Sequence, residues 1–198
     1  MSEPGVRTLL VLNLGSATLK AARYESCNAS QAPSMRLTQR TEIALGHPSI
    51  DLEAALARVA QDLALAAAPT LVGHRVVHGG DAEQARLLDA AELERLQGLT
   101  GLAPLHQRGA LALVRLVERH WPGSRQYAVF DTLWHARLPA NTRRLAVPKA
   151  WDALGIRRYG FHGLAFASAM RRVRAAHPQS GREKAVLAHL GSGCSLCA

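Results

Sequence analysis

The chain has 198 residues, 48% of them hydrophobic, which is enough for one large domain or two small ones whose cores need neither disulfide nor metal. Its formal charge is +9, and every one of its 24 basic residues except Lys20, Lys149 and Lys184 is an arginine. No apolar run approaches the roughly 20 residues that span a membrane as a helix, and three cysteines behind an opening "MSEPGVRTLLVL", without a basic start or small-residue cleavage site, predict a cytoplasmic protein.

Arginine suits planar, bidentate recognition of phosphate and carboxylate, so the charge points to a small anion as partner. Nucleic acid is disfavoured, because the arginines are scattered in pairs such as Arg143-Arg144, Arg157-Arg158 and Arg171-Arg172 without the aromatic interleaving of a strand-binding platform.

In chain order, "RTLLVLNLGSATLKAARYES" reads as a hairpin around a Gly-Ser-Ala-Thr turn, and "SQAPSMRLTQR" as a loop. Asp51 to Ala68 has helical composition with Asp51 as N-cap, and "TLVGHRVVHGG" reads as a buried strand closing on Gly79-Gly80. Asp89 and Glu92 form a variant capping box, and "APLHQRGALALVRLVERHW" is an amphipathic helix ending near Pro122-Gly123. A strand in "RQYAVFDTLWH" hands over to Asp131, and a Pro-punctuated connection with a short helix follows. Next come a helix in "GLAFASAMRRVRAAH", a loop in "PQSGRE", and a strand, turn and second strand in "KAVLAHLGSGCSLCA". The terminal C-x-x-C suits neither redox nor metal chemistry, since residues three apart on a strand face opposite ways.

The closing turn repeats the opening one: "NLGSATLK" is answered by "HLGSGCSLC". A glycine-containing hairpin turn exposes backbone N–H groups that can hold a phosphate. Around the first turn, Asn13, Gly15, Ser16, Thr18 and Lys20 supply an amide, two hydroxyls and an ammonium, the parts of a phosphate cradle, although any surface hairpin uses such residues for turn geometry. In "GHRVVHGG" Arg75 sits in an apolar segment, where an unpaired guanidinium costs several kcal/mol, so it must have a dedicated anion. His74 and His78 read as structural histidines, with Val76 and Val77 as core or pocket wall. Asp131 stands at the carboxyl end of a strand, where ligands meet open α/β sheets, or simply caps a turn. His106 and His135 lean toward structure, whereas His189 ends a strand before a phosphate-loop-like turn. In "RRYGFHGLAF" His162 is enclosed by aromatics and glycines, a setting that serves packing or chemistry.

Taken together, "VLNLGSATLK", "GHRVVHGG", "LAPLHQ", "AVFDTLWH", "GIRRYGFHG" and "AHLGSGCSLCA" resemble, in order and spacing, the acetate kinase family with its propionate and butyrate kinases. The resemblance implies an α/β fold of the actin-like, sugar-kinase-like ATPase (ribonuclease H-like) type. Two duplicated domains are implied, the first over residues 1–148 and the second beginning at 149 and cut off in its first hairpin. It implies ATP-dependent phosphoryl transfer to acetate or a related short-chain carboxylate, giving acyl phosphate and ADP with Mg2+. By position Asn13 resembles the metal-phosphate residue, Ser16, Thr18 and Lys20 the first phosphate loop, and Arg75 the arginine that grips carboxylate and transferring phosphoryl. Val77, Leu105 and Phe161 match the apolar pocket, Asp131 the catalytic aspartate, and His162 the transition-state histidine. His106 and His189 match further active-site histidines, and Gly191 and Gly193 the second phosphate loop.

The chain departs from the family pattern at Gln107, usually Asn, and at Leu164, Ala165 and Phe166, where the family reads Thr-Ser-His. In the second loop Ser192 replaces Asn and Cys194 replaces Ser. The resemblance covers only about the first half of the family, without the second substrate arginine, the adenosine pocket and a metal-binding glutamate. The expectation is therefore a kinase half that is impaired or inactive alone, with its last apolar strand an exposed edge, and that a homodimer partner or a complementing second half would complete; the alternative is a non-catalytic anion- or partner-binding remnant.

Overall fold

The computed structural model of the protein describes residues 7–27, 34–46, 51–179, 184–191 and 193–198. By packing, the chain divides into two compact units: Met1–Val76 with Ala85–Val129, and Val77–Gln84 with Phe130–Ala198. Among the described residues no helix is long and apolar enough to cross a membrane.

The first unit is built on strands β1 (Thr8–Leu14), β2 (Thr18–Cys27), β3 (Ser34–Ala44), β4 (Leu71–Val76), β5 (Arg86–Leu87) and β6 (Arg125–Phe130). They form one sheet in the order β3-β2-β1-β4-β6-β5. Period-2 alternation decides the packing: Leu10 and Leu12 of β1, Leu19 and Ala21 of β2, and Val72 of β4 are buried on one face. Against that face lie α1 (Leu52–Asp62) with Ala55, Leu56 and Val59, and α3 (Pro104–His120) with Leu113, Leu116 and Val117. β1 and β2 pair antiparallel from Thr8↔Glu25 to Leu14↔Leu19, the expected hairpin, and β1 runs parallel to β4 with Leu12 beside His74.

Two elements differ from the sequence expectation. The described part of "SQAPSMRLTQR", from Ser34 on, is strand β3 rather than loop, antiparallel to β2 with a register irregularity at Arg23/Tyr24. Standing at the sheet edge it leaves most side chains in solvent, so its polar sequence carries no apolar alternation. Helix α1 starts on its Asp51 cap, whose Oδ1 accepts from Ala54 N at 2.9 Å, but ends at Asp62. Ala64 then takes a left-handed φ of 46°.

At α2 (Ala90–Gly98) Asp89 Oδ1 accepts from Glu92 N at 2.8 Å, the expected cap. The Glu92 carboxylate turns instead to Arg95 (2.6 Å) and Arg86 (3.5 Å). Burial works to raise its pKa, but bonding and attraction from these arginines outweigh burial and lower it.

The second unit carries α4 (Ala140–Arg143), α5 (Lys149–Asp152), α6 (Gly163–Ala176), and the short antiparallel pair β7 (Leu187–His189) and β8 (Ser195–Cys197). Rings hold it together: Phe166 of α6 is buried with His135 edge-on at 5.8 Å, and His78 sits edge-on to Tyr159 at 4.5 Å. A Cβ at Gly160 would lie 2.3 Å from His135 Cγ, so only glycine fits there. Of "PQSGRE", Ser180 to Glu183 lie outside the described residues.

Candidate functional site

Parallel pairing of β1 and β4 brings Asn13 and Arg75 together, and Arg75 Nη1 donates to Asn13 Oδ1 at 3.1 Å. The "GHRVV" segment is not buried on both sides, as its apolar composition suggested. Val72, His74 and Val76 face the core, while Gly73 and Arg75 occupy the half-buried face. That alternation keeps the Arg75 guanidinium reachable from solvent. His74, on the core face, is bonded to Gln126 Oε1 at 2.8 Å; burial pushes its pKa down to about 4, against the raising effect of that bond. The structural reading of His74 holds.

Asn13 lies opposite Lys20 in the hairpin, and both line a cavity of about 610 Å³ with Arg40 and Glu42. Lys20 Nζ is 3.5 Å from Glu42 Oε1, with both side chains more than half exposed. In the first turn Gly15 N donates to Thr18 O at 2.8 Å, leaving Ser16 exposed and Thr18 half-buried. At the start of α3, Leu105 is 90% exposed and His106 is exposed. Gln107, in the place of the family's Asn, is fully buried, and its Nε2 donates to Leu96 O at 3.3 Å.

In the second unit Val77 is buried, and Gly79 N donates to Thr132 Oγ1 at 3.1 Å. A Cβ on Gly79 would come within 2.3 Å of Phe130 Cγ, which fixes glycine at that close approach. Asp131, just past β6, is 2% exposed, and its main-chain oxygen accepts from Gly163 N at 2.8 Å. His162 precedes α6 with a left-handed φ of 57°. Its Nδ1 is 2.9 Å from Ser195 Oγ, and its ring stacks on that of His189 with centroids 4.2 Å apart and planes at 19°. Gly193 lies against this pair, a Cβ there falling 3.6 Å from His162 Cε1; Gly191 O accepts from Cys194 Sγ at 3.7 Å. Ser192 lies outside the described residues. Phe161 is half-buried, its carbonyl 3.1 Å from His135 Nε2 and its ring edge-on to His78 at 5.7 Å.

Asn13, Ser16, Thr18, Lys20, Arg75, Leu105 and His106 thus belong to the first unit, and Val77, Asp131, Phe161, His162, His189, Gly191 and Gly193 to the second. Sequence reasoning missed Ser195, 33 residues from the histidine it touches, and Gln126, 52 residues from His74. No local signal announces either pair. Among the described residues no three His, Cys, Asp or Glu side chains group as a metal site.

The α/β architecture is that of an actin-like ATPase, and a propionate kinase of Francisella tularensis subsp. tularensis SCHU S4 superposes with a TM-score of 0.76 at 28% identity, over 97% of this chain and 54% of that one. The sequence pattern of the acetokinase family matches residues 8–198, and the chain belongs to that family. It is 44% identical to the acetate kinase of Rhizobium meliloti over 127 residues, covering 64% of this chain and 32% of the relative. With the acetate kinase of Ectopseudomonas mendocina (strain ymp) it shares 34% identity over 215 residues, 97% of this chain and 53% of the relative. The chain therefore spans about half the length, or less, of the relatives it matches.

Proposed function

We propose that the chain is the first half of an ATP-dependent carboxylate kinase, which transfers the γ-phosphoryl group of ATP to acetate or another short-chain carboxylate and releases acyl phosphate and ADP. The observation that carries this reading is the Arg75–Asn13 contact, a guanidinium held half-buried beside the glycine-containing turn of the first hairpin. A carboxylate is already a nucleophile, so in-line transfer needs positioning and charge neutralisation more than a strong base. In this reading the carboxylate oxygen forms a bond to the γ-phosphorus as the bridging bond to ADP breaks.

Arg75 and His162 hold the oxygens of the transferring group, and Asp131 is the catalytic aspartate by family position. Val77, Leu105 and Phe161 border the acid's alkyl group. Ser16, Thr18, Lys20, His106, His189, Gly191 and Gly193 bind nucleotide phosphates. Asn13 would offer Mg2+ a hard oxygen donor in its Oδ1, which here accepts from Arg75, with nucleotide phosphates supplying further ligands. When bound it neutralises charge on the phosphates. The proposal includes the duplicated design, with one domain over 1–148 and a second from 149, a cytoplasmic location, and completion by a homodimer partner or a second half on another chain.

A non-catalytic remnant that binds an anion or partner is the second reading. It is favoured by Phe166, which fills the core where the family carries a polar side chain. The two separate in a hydroxamate assay for acyl phosphate, run on the purified chain and on a chimera in which it replaces the matching half of the Ectopseudomonas mendocina acetate kinase. The kinase reading expects little activity from the chain alone, a working chimera, and at least a ~100-fold loss on Arg75→Ala. A folded but inactive chimera selects the remnant; ordinary rates from the isolated chain overturn its predicted inactivity.

A further inference from the structure

Strand β3 ends the six-stranded sheet, so one of its edges pairs with β2 and the other meets no strand among the described residues. Such an edge presents a row of main-chain donors and acceptors that a further strand can meet. We propose that β3 of a second copy of this chain adds there, antiparallel, about a two-fold axis through Thr41.

One bond shows which main-chain groups of β3 point outward. Leu45 N donates to Ala17 O at 2.8 Å, so Leu45 turns its polar groups toward β2. Hydrogen-bonded and non-hydrogen-bonded pairs alternate along an antiparallel ladder, and the register with β2 is unbroken from Ala44 to Gln39. Ile43, Thr41 and Gln39 therefore also turn inward, and Ala44, Glu42 and Arg40 turn outward. The side chains of Arg40 and Glu42 are exposed and share one face of the sheet, opposite Ala22 and Lys20.

Charge then selects the register. A two-fold pairing sets outward residues against outward residues. Centred on Arg40 it opposes two arginines, and centred on Glu42 it opposes two glutamates, both of them destabilising. Centred on Thr41 it sets Arg40 of each copy directly opposite Glu42 of the other, twice by symmetry, and each such pair exchanges both of its N–H···O bonds. On the opposite face Thr41 meets Thr41 of the second copy, a favourable cross-strand pair, with its Oγ1 already donating to Asp62 Oδ2 at 2.7 Å.

The irregularity in β3 limits how far the pairing runs. Thr38 has no residue opposite it on β2, and its Oγ1 donates to Arg23 O at 3.1 Å. A strand bends at such a point, so the regular pairing covers residues 39–43 and leaves Arg36, on the far side, outside it. Closing the two-fold uses up the free edge of both copies, which stops association at the dimer.

This inference does not rest on the kinase reading, since a kinase half and a remnant carry the same edge and the test reads mass rather than activity. The whole chain is examined by sedimentation velocity at low ionic strength, beside Arg40→Glu, Glu42→Arg, an equimolar mixture of those two variants, and Arg36→Glu. A short edge interface binds weakly, so the parent should show a monomer–dimer equilibrium with dimer dominant by about 100 µM. Each single reversal opposes like charges twice and should weaken dimerisation at least ~10-fold. The mixture should regain it, because in the mixed dimer every position again faces its opposite charge, and that recovery also shows both variants to be folded. Arg36→Glu should stay within about twofold of the parent. The proposal is overturned by a parent still monomeric at about 100 µM, by a dimer that either single reversal keeps, by a mixture that does not associate, or by an equal loss in Arg36→Glu.

Discussion

The β1–β2 hairpin buries Leu10, Leu12 and Leu19 completely within a six-stranded sheet, whereas β7–β8, whose sequence repeats the same Gly-Ser turn, is two three-residue strands with Leu196 74% exposed. Turn chemistry makes both chains reverse direction, but it supplies little of what keeps them in place. The first hairpin is held through the apolar side chains on its core face. The second is held by particular contacts, such as His162 to Ser195 and Trp134 Nε1 to Cys197 Sγ at 3.3 Å.

Leu12→Ala should strike the first hairpin hardest, costing about 2–5 kcal/mol in urea unfolding, because a fully buried leucine leaves a cavity the sheet cannot close. A cost under 1 kcal/mol would break the contrast. Acid should weaken the same sheet. The unfolded chain protonates His74 near 6.5, while the folded protein keeps it neutral down to about 4. Falling pH therefore favours unfolding between those values, by on the order of 3 kcal/mol in all. Stability measured from pH 7 to 4 should show this slope in the parent and much less of it in His74→Gln.

A smaller effect sharpens the comparison on the hairpin's outer face. Lys20→Ala should change stability by less than about 1 kcal/mol, with the difference vanishing in high salt, since the Lys20–Glu42 pair is largely exposed. Smallest of all, Leu196→Ala should stay within about 0.5 kcal/mol. A larger loss would mean that β7–β8 is anchored through its apolar side chains after all.

Legibility in the sequence followed the physical source of each feature. Elements that bury one face announce themselves by period, so the first hairpin, the Asp51 and Asp89 caps and α3 were all readable. Edge strand β3 was not, because a strand paired on one side only can be polar throughout. At the candidate site, motif order identified the family, but the half-exposed setting of Arg75 came only from the strand alternation fixed by pairing to β1. Contacts such as His74 with Gln126 and His162 with Ser195 depend on tertiary placement across long separations, and no local pattern encodes them.

The left-handed backbone of His162 bears on protein engineering. A residue with a Cβ is strained there by about 1–3 kcal/mol, while glycine adopts the same conformation without strain. Relief of that strain favours His162→Gly, but the same change removes the contact to Ser195 and the imidazole stacked on His189, which anchor β7–β8. Stabilised versions of this chain should be sought with position 162 held fixed.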